Sequence, residues 1–229
     1  MNCAAYTAVD KAESEKEKAF NINADAVGNL ASVCKAHATK LVHISTDYVF
    51  SGNGTSPYKE EDKIDPVNIY GASKLRGEEL ALNNNADTII IRTSWVYSQF
   101  GNNFVKTMLR LMKEKESINV VADQFGSPTY AADLAHAIMK IIDHENIAAN
   151  GIFNYCNSGV ISWYDFAMAV KNISNSTCAV IPIPTSQFPT PAKRPQYSVL
   201  DTAKIKSIFN VEIPAWELSL KKCLEDLPG

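Results

Sequence analysis

Apolar and polar positions along this chain fall into alternating blocks. Short β-branched runs give way to stretches in which apolar residues recur every three or four positions. Leu41-Val42-His43-Ile44-Ser45, Thr88-Ile89-Ile90-Ile91-Arg92 and Ile118 to Ala122 read as short buried strands. Asn2 to Tyr6 read as the C-terminal end of another, followed by a loop through Thr7, Asp10 and Lys11. Helical spacing runs from about Glu17 to His37 through Ala19, Ile22, Ala26, Leu30 and Cys34. Further helices are predicted from Tyr70 to about Leu82, Asn103 to Lys115 and Tyr130 to Asp143. This alternation predicts an α/β protein, a doubly wound parallel sheet covered on both faces. Ligands of such sheets bind beyond the carboxyl ends of the strands. The loop after Tyr6, Thr46 and Trp95 all fall at such ends.

From Gly151 the character changes. A strand is predicted from Gly151 to Asn157 and a helix from Trp163 to Val170. The run Ala179 to Pro184 and the proline-rich stretch Phe188 to Pro195 favour extended connections over central strands, and two short helices close the chain. The expected division is 1–150 as a dinucleotide-binding domain and 151–229 as a smaller substrate lobe, with some lobe segments interleaved. The loop from Ser51 to about Val67 is long for a compact domain, which hints at function.

Composition narrows the class. Of the 229 residues, 46% are hydrophobic, enough for a sizeable core in one large or two small domains. The 22 basic and 25 acidic side chains are mixed along the sequence without a basic block, so nucleic acid is not an expected partner. No apolar run reaches bilayer length and no signal peptide is evident, which predicts a cytoplasmic protein without a membrane partner. The five cysteines (Cys3, Cys34, Cys156, Cys178 and Cys223) are scattered and include no C-x-x-C pair. They fit small core hydrophobes in a reducing compartment better than a disulfide framework or a zinc site. The histidines His37, His43, His136 and His144 show no metal-ligand spacing and read as structural, so no metal is expected.

The candidate chemistry lies in Tyr70 and Lys74, spaced i and i+4 on one helix face. A Lys ammonium there lowers the phenol's pKa from its reference near ~10 toward working pH. A phenol so tuned passes its proton to a carbonyl oxygen while hydride arrives at the carbon. Thr46, at the end of a predicted strand, supplies a hydroxyl to hold that oxygen. Alone, a Y-x-x-x-K also describes an exposed helix with a solvated lysine.

Six ordered motifs weigh against that reading. They are Asn2-Cys3-Ala4-Ala5-Tyr6-Thr7-Ala8-Val9-Asp10-Lys11, Ser45-Thr46-Asp47-Tyr48-Val49-Phe50, Tyr70-Gly71-Ala72-Ser73-Lys74, Arg92-Thr93-Ser94-Trp95-Val96-Tyr97, Asp123-Gln124-Phe125-Gly126-Ser127-Pro128-Thr129 and Arg194-Pro195 with Ser198. Over nearly its whole length the chain resembles the dTDP-4-dehydrorhamnose reductase family of extended short-chain dehydrogenase/reductases. The resemblance implies a Rossmann-like fold and NAD(P)H-dependent reduction of the C4 ketone of dTDP-4-dehydro-L-rhamnose, a step toward surface polysaccharide. It implies Tyr70 as general acid, Lys74 on the nicotinamide ribose and Thr46 on the ketone. Ala5, Tyr6 and Thr7, with Tyr70 and Lys74, would border the cofactor, NADPH or NADH. Asp47, Trp95, Asn103 and Arg194 would contact the dTDP-sugar, Trp95 by stacking and Arg194 at the diphosphate. Asn102 or Asn103 would otherwise cap the following helix. Gln124 and Thr129 are further pocket candidates. Some family members place a carboxylate after a Pro-Thr-x-Ala run to hold a metal; Pro128-Thr129-Tyr130-Ala131-Ala132 offers none.

One departure stands out. The family's Gly-rich turn, which holds the cofactor pyrophosphate at a helix N-terminus, has no counterpart among the ten glycines. The chain reads as a sheet truncated at its N-terminal strands. A raw sheet edge, exposed apolar faces, instability or self-association into a homo-oligomer, no tight NAD(P)H binding and negligible reductase activity of this chain by itself, as an inactive fragment, are the expectations that follow. Alternatives within reach of the sequence are another nucleotide-sugar reductase or epimerase, or a non-catalytic regulatory or structural relative.

Overall fold

The computed structural model describes residues 1–144 and 149–227. Helices α1 (Val9–Ala12) and α2 (Lys16–Phe20) lead through a π-turn (Asn21–Asp25) into α3 (Ala26–Ala36). Then come β1 (Leu41–Thr46), α4 (Ile69–Asn84), β2 (Thr88–Thr93), β3 (Val96–Tyr97), α5 (Phe104–Glu114) and β4 (Ser117–Val121). β5 (Phe125–Gly126), β6 (Thr129–Tyr130) and α6 (Ala131–Ile142) follow, then β7 (Gly151–Asn154), β8 (Ile161–Ser162) and α7 (Trp163–Ile173). β9 (Ala179–Ile183), α8 (Ala203–Phe209) and α9 (Trp216–Glu225) complete the described order.

The main sheet is parallel, in the order β1-β2-β7. Ile44 pairs with Ile91, which pairs with Phe153, and His43 pairs with Ile90, which pairs with Ile152. Because side chains alternate across a strand, the two faces have separate cores. Val42, Ile89, Ile91 and Phe153 pack against α6 and α8. Leu41 and Ile90 pack against Val27 and Ala31 of α3 and Ala81 of α4. His43 shares this second face by register, and that places it under α4. On the outer side of β1, a parallel bridge joins Asn2 to His43. The predicted strand from Asn2 to Tyr6 is reduced to this bridge, and the loop predicted after it contains α1.

The helix predicted from Glu17 to His37 is interrupted by the π-turn. Within it lies Asn23, whose side chain bonds to distant segments. Its Oδ1 accepts from Tyr6 N at 2.8 Å, while its Nδ2 donates to Tyr6 O at 3.0 Å and Ser73 Oγ at 2.9 Å. A widened turn aims the amide into that junction.

Strand pairing crosses the division expected at residue 150. β7, after it, lies in the main sheet, and β4, before it, pairs with β9. Parallel partners are joined by long crossovers, so both layers draw on both halves of the chain. The second layer is built around Tyr97, Val105, Met108, Phe166, Val170 and Trp216. The Ser51-to-Val67 loop is tied to the rest of the chain, and its Ser51 and Asn53 line a cavity with Arg194. It is pinned by bridges Phe50–Ile64, Asn53–Tyr197 and Tyr58–Leu200.

Behind β1 and β2 lies a buried ion pair. Arg92 Nε donates to Glu78 Oε1 at 3.0 Å and its NH2 to Oε2 at 2.7 Å. Ser45 Oγ donates to Oε1 at 2.5 Å and Arg92 NH1 to Glu60 O at 3.2 Å. Satisfying both charges in this way makes their burial tolerable.

Candidate active site

A cavity of about 690 Å³ opens at the carboxyl ends of β1 and β2, where Thr46 and Thr93 end their strands. Thr46, Asp47, Tyr70, Lys74 and Trp95 all line it, with Ala5 and Thr7 along one side. Seven of the candidates thus meet at the place where a parallel sheet presents its ligands.

Local chemistry fixes the tyrosine. Asn68 caps α4, its Oδ1 accepting from Gly71 N at 2.8 Å, and its Nδ2 donates to Lys193 O at 2.9 Å. A Cβ on Gly71 would stand 2.2 Å from Tyr48 O, so only glycine lets the first turn of α4 seat against the 3-10 turn Asp47–Val49. Tyr48 and Tyr70 then meet edge to face, 5.5 Å between centroids.

Thr46 links the polar groups. Its hydroxyl donates to Asp47 Oδ1 at 3.0 Å and accepts from Tyr48 N at 3.2 Å, and it faces the same cavity as the Tyr70 phenol. Burial pushes Asp47 up to about 6, hydrogen bonds offsetting it in part, and its Oδ2 has no partner. Tyr70 is pushed up to about 12, chiefly by desolvation, with Thr46 pulling it down and the Asp47 charge raising it. Lys74 is buried and brought down to about 8 by desolvation, against the charges of Glu78 and Cys3. Its Nζ donates to Ile44 O at 2.6 Å and lies 3.3 Å from His43 Nε2. The expected lowering of the Tyr70 pKa by Lys74 is therefore not the state of this cleft. The amine is turned onto β1, and Tyr70 keeps its proton.

Other candidates are placed differently. Tyr6 packs with Ala12 and Ala19, its main chain held by Asn23, so it faces away from the cavity that its neighbours Ala5 and Thr7 line. Asn103 spends its amide on the α5 cap. Oδ1 accepts from Lys106 N at 3.2 Å and Nδ2 donates to Ser98 O at 2.7 Å, which leaves Asn102 on the cavity wall. Gln124 donates to Thr185 Oγ1 at 3.0 Å, and Thr129 is buried, accepting from Thr93 Oγ1 at 3.2 Å. Arg194 lines a second cavity of about 480 Å³ beside the proline-rich stretch. Its NH2 donates to Asp10 Oδ2 at 2.8 Å, and its NH1 is buried without a partner.

Trp163 joins the main cavity wall. Its indole stacks on that of Trp95 with centroids 3.5 Å apart and planes 11° from parallel. The sequence signals a helix start there, the capping box of Ser162 and Asp165, but nothing local says which cleft the first side chain of the helix reaches. Among the described residues no group of three or more His, Cys, Asp or Glu is placed to hold a metal ion, and no helix is long and apolar enough to cross a membrane.

Comparison with known proteins points to a family. The RmlD substrate binding domain family matches residues 1–228. The dTDP-4-dehydrorhamnose reductase of Escherichia coli K12 is 44% identical over 239 residues, covering 99% of this chain and 79% of that protein. The spore coat polysaccharide biosynthesis protein SpsK of Bacillus subtilis is 43% identical, covering 99% and 78%. The crystal structure of dTDP-4-dehydrorhamnose reductase from Bacillus anthracis in complex with NADP superposes with a TM-score of 0.94 at 43% identity, covering 98% of this chain and 79% of that one. The Rossmann-like α/β fold, the ordered motifs and these matches lead to one conclusion: the chain belongs to the dTDP-4-dehydrorhamnose reductase family of NAD(P)H-dependent oxidoreductases.

Proposed function

We propose that the main cavity reduces the C4 ketone of dTDP-4-dehydro-L-rhamnose, giving dTDP-L-rhamnose. The observation that carries this is Tyr70, held with its proton beside the Thr46 hydroxyl at the end of β1, in one cavity with Lys74 and Trp95. The residues present fit the nicotinamide end of a dinucleotide. Tyr70, Lys74 and the Ala5 and Thr7 backbone border a cavity roomy enough for it. No Gly-rich turn for the pyrophosphate occurs within the 229 residues. When bound, the nicotinamide supplies the hydride.

The chain supplies the rest. Tyr70 gives its phenolic proton to the ketone oxygen as charge develops there. Thr46 holds that oxygen and fixes the phenol. Lys74 binds the nicotinamide ribose, and its positive charge, once brought to the cleft, eases proton loss from Tyr70. Trp95 offers an apolar ring to the sugar, and Asp47 Oδ2 accepts from a sugar hydroxyl. Arg194 NH1 is available to a diphosphate oxygen. The five cysteines are free, which suits a reducing compartment, and a cytoplasmic location goes with this reading. So does self-association, since Leu30 and Val33 on α3 and Met139 on α6 leave apolar surface exposed.

The test is oxidation of NADPH or NADH at saturating concentration with dTDP-4-dehydro-L-rhamnose. Tyr70→Phe removes the transferable proton and is expected to slow turnover by about 10²–10⁴-fold. Near-normal turnover in that variant would remove Tyr70 from the mechanism.

A further inference from the structure

His43 is fully buried on the face of β1 that α4 covers, and both its ring nitrogens have neighbours. Nδ1 lies 3.1 Å from Asn2 Nδ2, and Nε2 lies 3.3 Å from Lys74 Nζ. The orientation of the Asn2 amide is fixed independently, because its Oδ1 accepts from Ala4 N at 3.0 Å. Asn2 therefore presents its NH₂ group to the ring, and Nδ1 is the acceptor. Burial is the main cause that holds His43 neutral, down to about 3, against a hydrogen bond to the Asn2 main chain that favours its charged form. The one proton of a neutral imidazole then sits on Nε2, aimed at Lys74.

That assignment sets the sign of the contact. An ammonium has three N–H donors and no lone pair, so it has nothing to offer an Nε2–H. A neutral amine accepts that hydrogen and still donates to Ile44 O. The opposite tautomer would reverse the preference, with a bare Nε2 accepting from the ammonium. The other groups facing Lys74 are Tyr70 and Glu78 on its own helix and Cys3 from the N-terminal segment. Glu78 is already committed to Arg92 and Ser45.

We propose that His43 is a positioning residue for Lys74: with its tautomer locked by Asn2, it turns Nε2–H toward the lysine, which favours the neutral amine over the ammonium and seats that amine on β1. Charging Lys74 then goes with its release toward the cleft, so occupancy of the cleft and the lysine's charge are coupled. This rests on reading Lys74 as the partner of Tyr70 and the cofactor ribose.

The experiment is NMR of the protein labelled with ¹⁵N-histidine and [ε-¹³C]lysine, the Lys74 signal being assigned by its loss in Lys74→Arg. The wild type is expected to show the Nε2–H tautomer at His43 and a Lys74 that titrates below ordinary lysine. In Asn2→Asp the new carboxylate accepts from Nδ1–H, the tautomer flips, and Lys74 is expected to titrate about one unit higher or more. A carboxylate also raises Lys74 by charge alone, so the same change is made in His43→Phe, where the rise should be clearly smaller. An Nδ1–H tautomer in the wild type overturns the proposal, as does an equal rise in both backgrounds. If a variant does not fold, the wild-type tautomer alone decides. None of these signals depends on turnover, so loss of the reductase reading and loss of this proposal are told apart. In the pH–rate profile, Asn2→Asp should move the alkaline limb upward.

Discussion

Trp95 and Trp163 stack face to face, 3.5 Å between centroids, where the end of β2 meets the start of α7. Trp95 reaches this position with φ of 48°, in the left-handed region, a conformation that costs a non-glycine residue about 1 kcal/mol or more. A Cβ on Gly126 would lie 2.6 Å from the Trp95 ring, so only glycine lets the backbone there pack this close to the indole. The stack and this contact hold the ring at the cavity wall. Trp163→Leu removes the stacking partner, worth about 0.5–1.5 kcal/mol. The expected result is a KM for the sugar nucleotide raised roughly 2- to 10-fold with kcat little changed, and partial rescue by Trp163→Phe. An unchanged KM would show that the stack serves folding alone.

Asp47 carries a cost in stability that follows from its burial. An unfolded aspartate ionises near ~3.9, whereas folding holds this one to about 6. Between these values the folded state binds more protons than the unfolded one, so stability falls as pH rises, and the deficit is complete above the folded pKa. Asp47→Asn is expected to raise the denaturation midpoint at pH 8 more than at pH 4, while weakening substrate binding. Equal shifts at both pH values would contradict the assignment.

The pair Arg92 and Glu78 is the opposite case, two buried charges fully committed to each other and to Ser45. Removing one leaves the other buried and unpaired, a loss of about 3–5 kcal/mol. Glu78→Ala should show this in urea denaturation. Replacing both residues by apolar ones of similar volume should lose much less, and equal losses would point to packing rather than charge.

Arg194 is braced by Asp10, far from it in sequence, with NH1 left over. Hydrogen bonds to charged groups are worth about 1.5–3 kcal/mol, so Arg194→Ala should weaken dTDP binding about 10- to 100-fold in calorimetry. A sugar without the diphosphate should lose much less. Equal effects on both ligands would put the guanidinium outside the phosphate site.

The strands were legible because buried parallel strands need apolar, β-branched runs, and Leu41–Thr46 and Thr88–Thr93 differ from the expectation by one residue each. The helix carrying Tyr70 and Lys74 was expected from Tyr70 to about Leu82 and runs Ile69–Asn84, with its cap at Asn68 visible only in the structure. The sequence also placed Thr46, Tyr70, Lys74 and Trp95 at strand ends or on one helix face, because those relations are local. Local rules could not reach Tyr6, whose direction is set by Asn23, or Asn103, whose amide goes to a cap rather than to the cavity. Nor could they show that β7 would cross the residue-150 boundary to join the main sheet, since strand order depends on which crossover packs best. The sequence by itself determined the strand–helix alternation and the residue types for proton transfer. Tertiary structure decided the Trp163 stack, the Asp10–Arg194 brace and the side of β1 to which Lys74 turns, because each depends on distant segments meeting in a core where unsatisfied polar groups are costly.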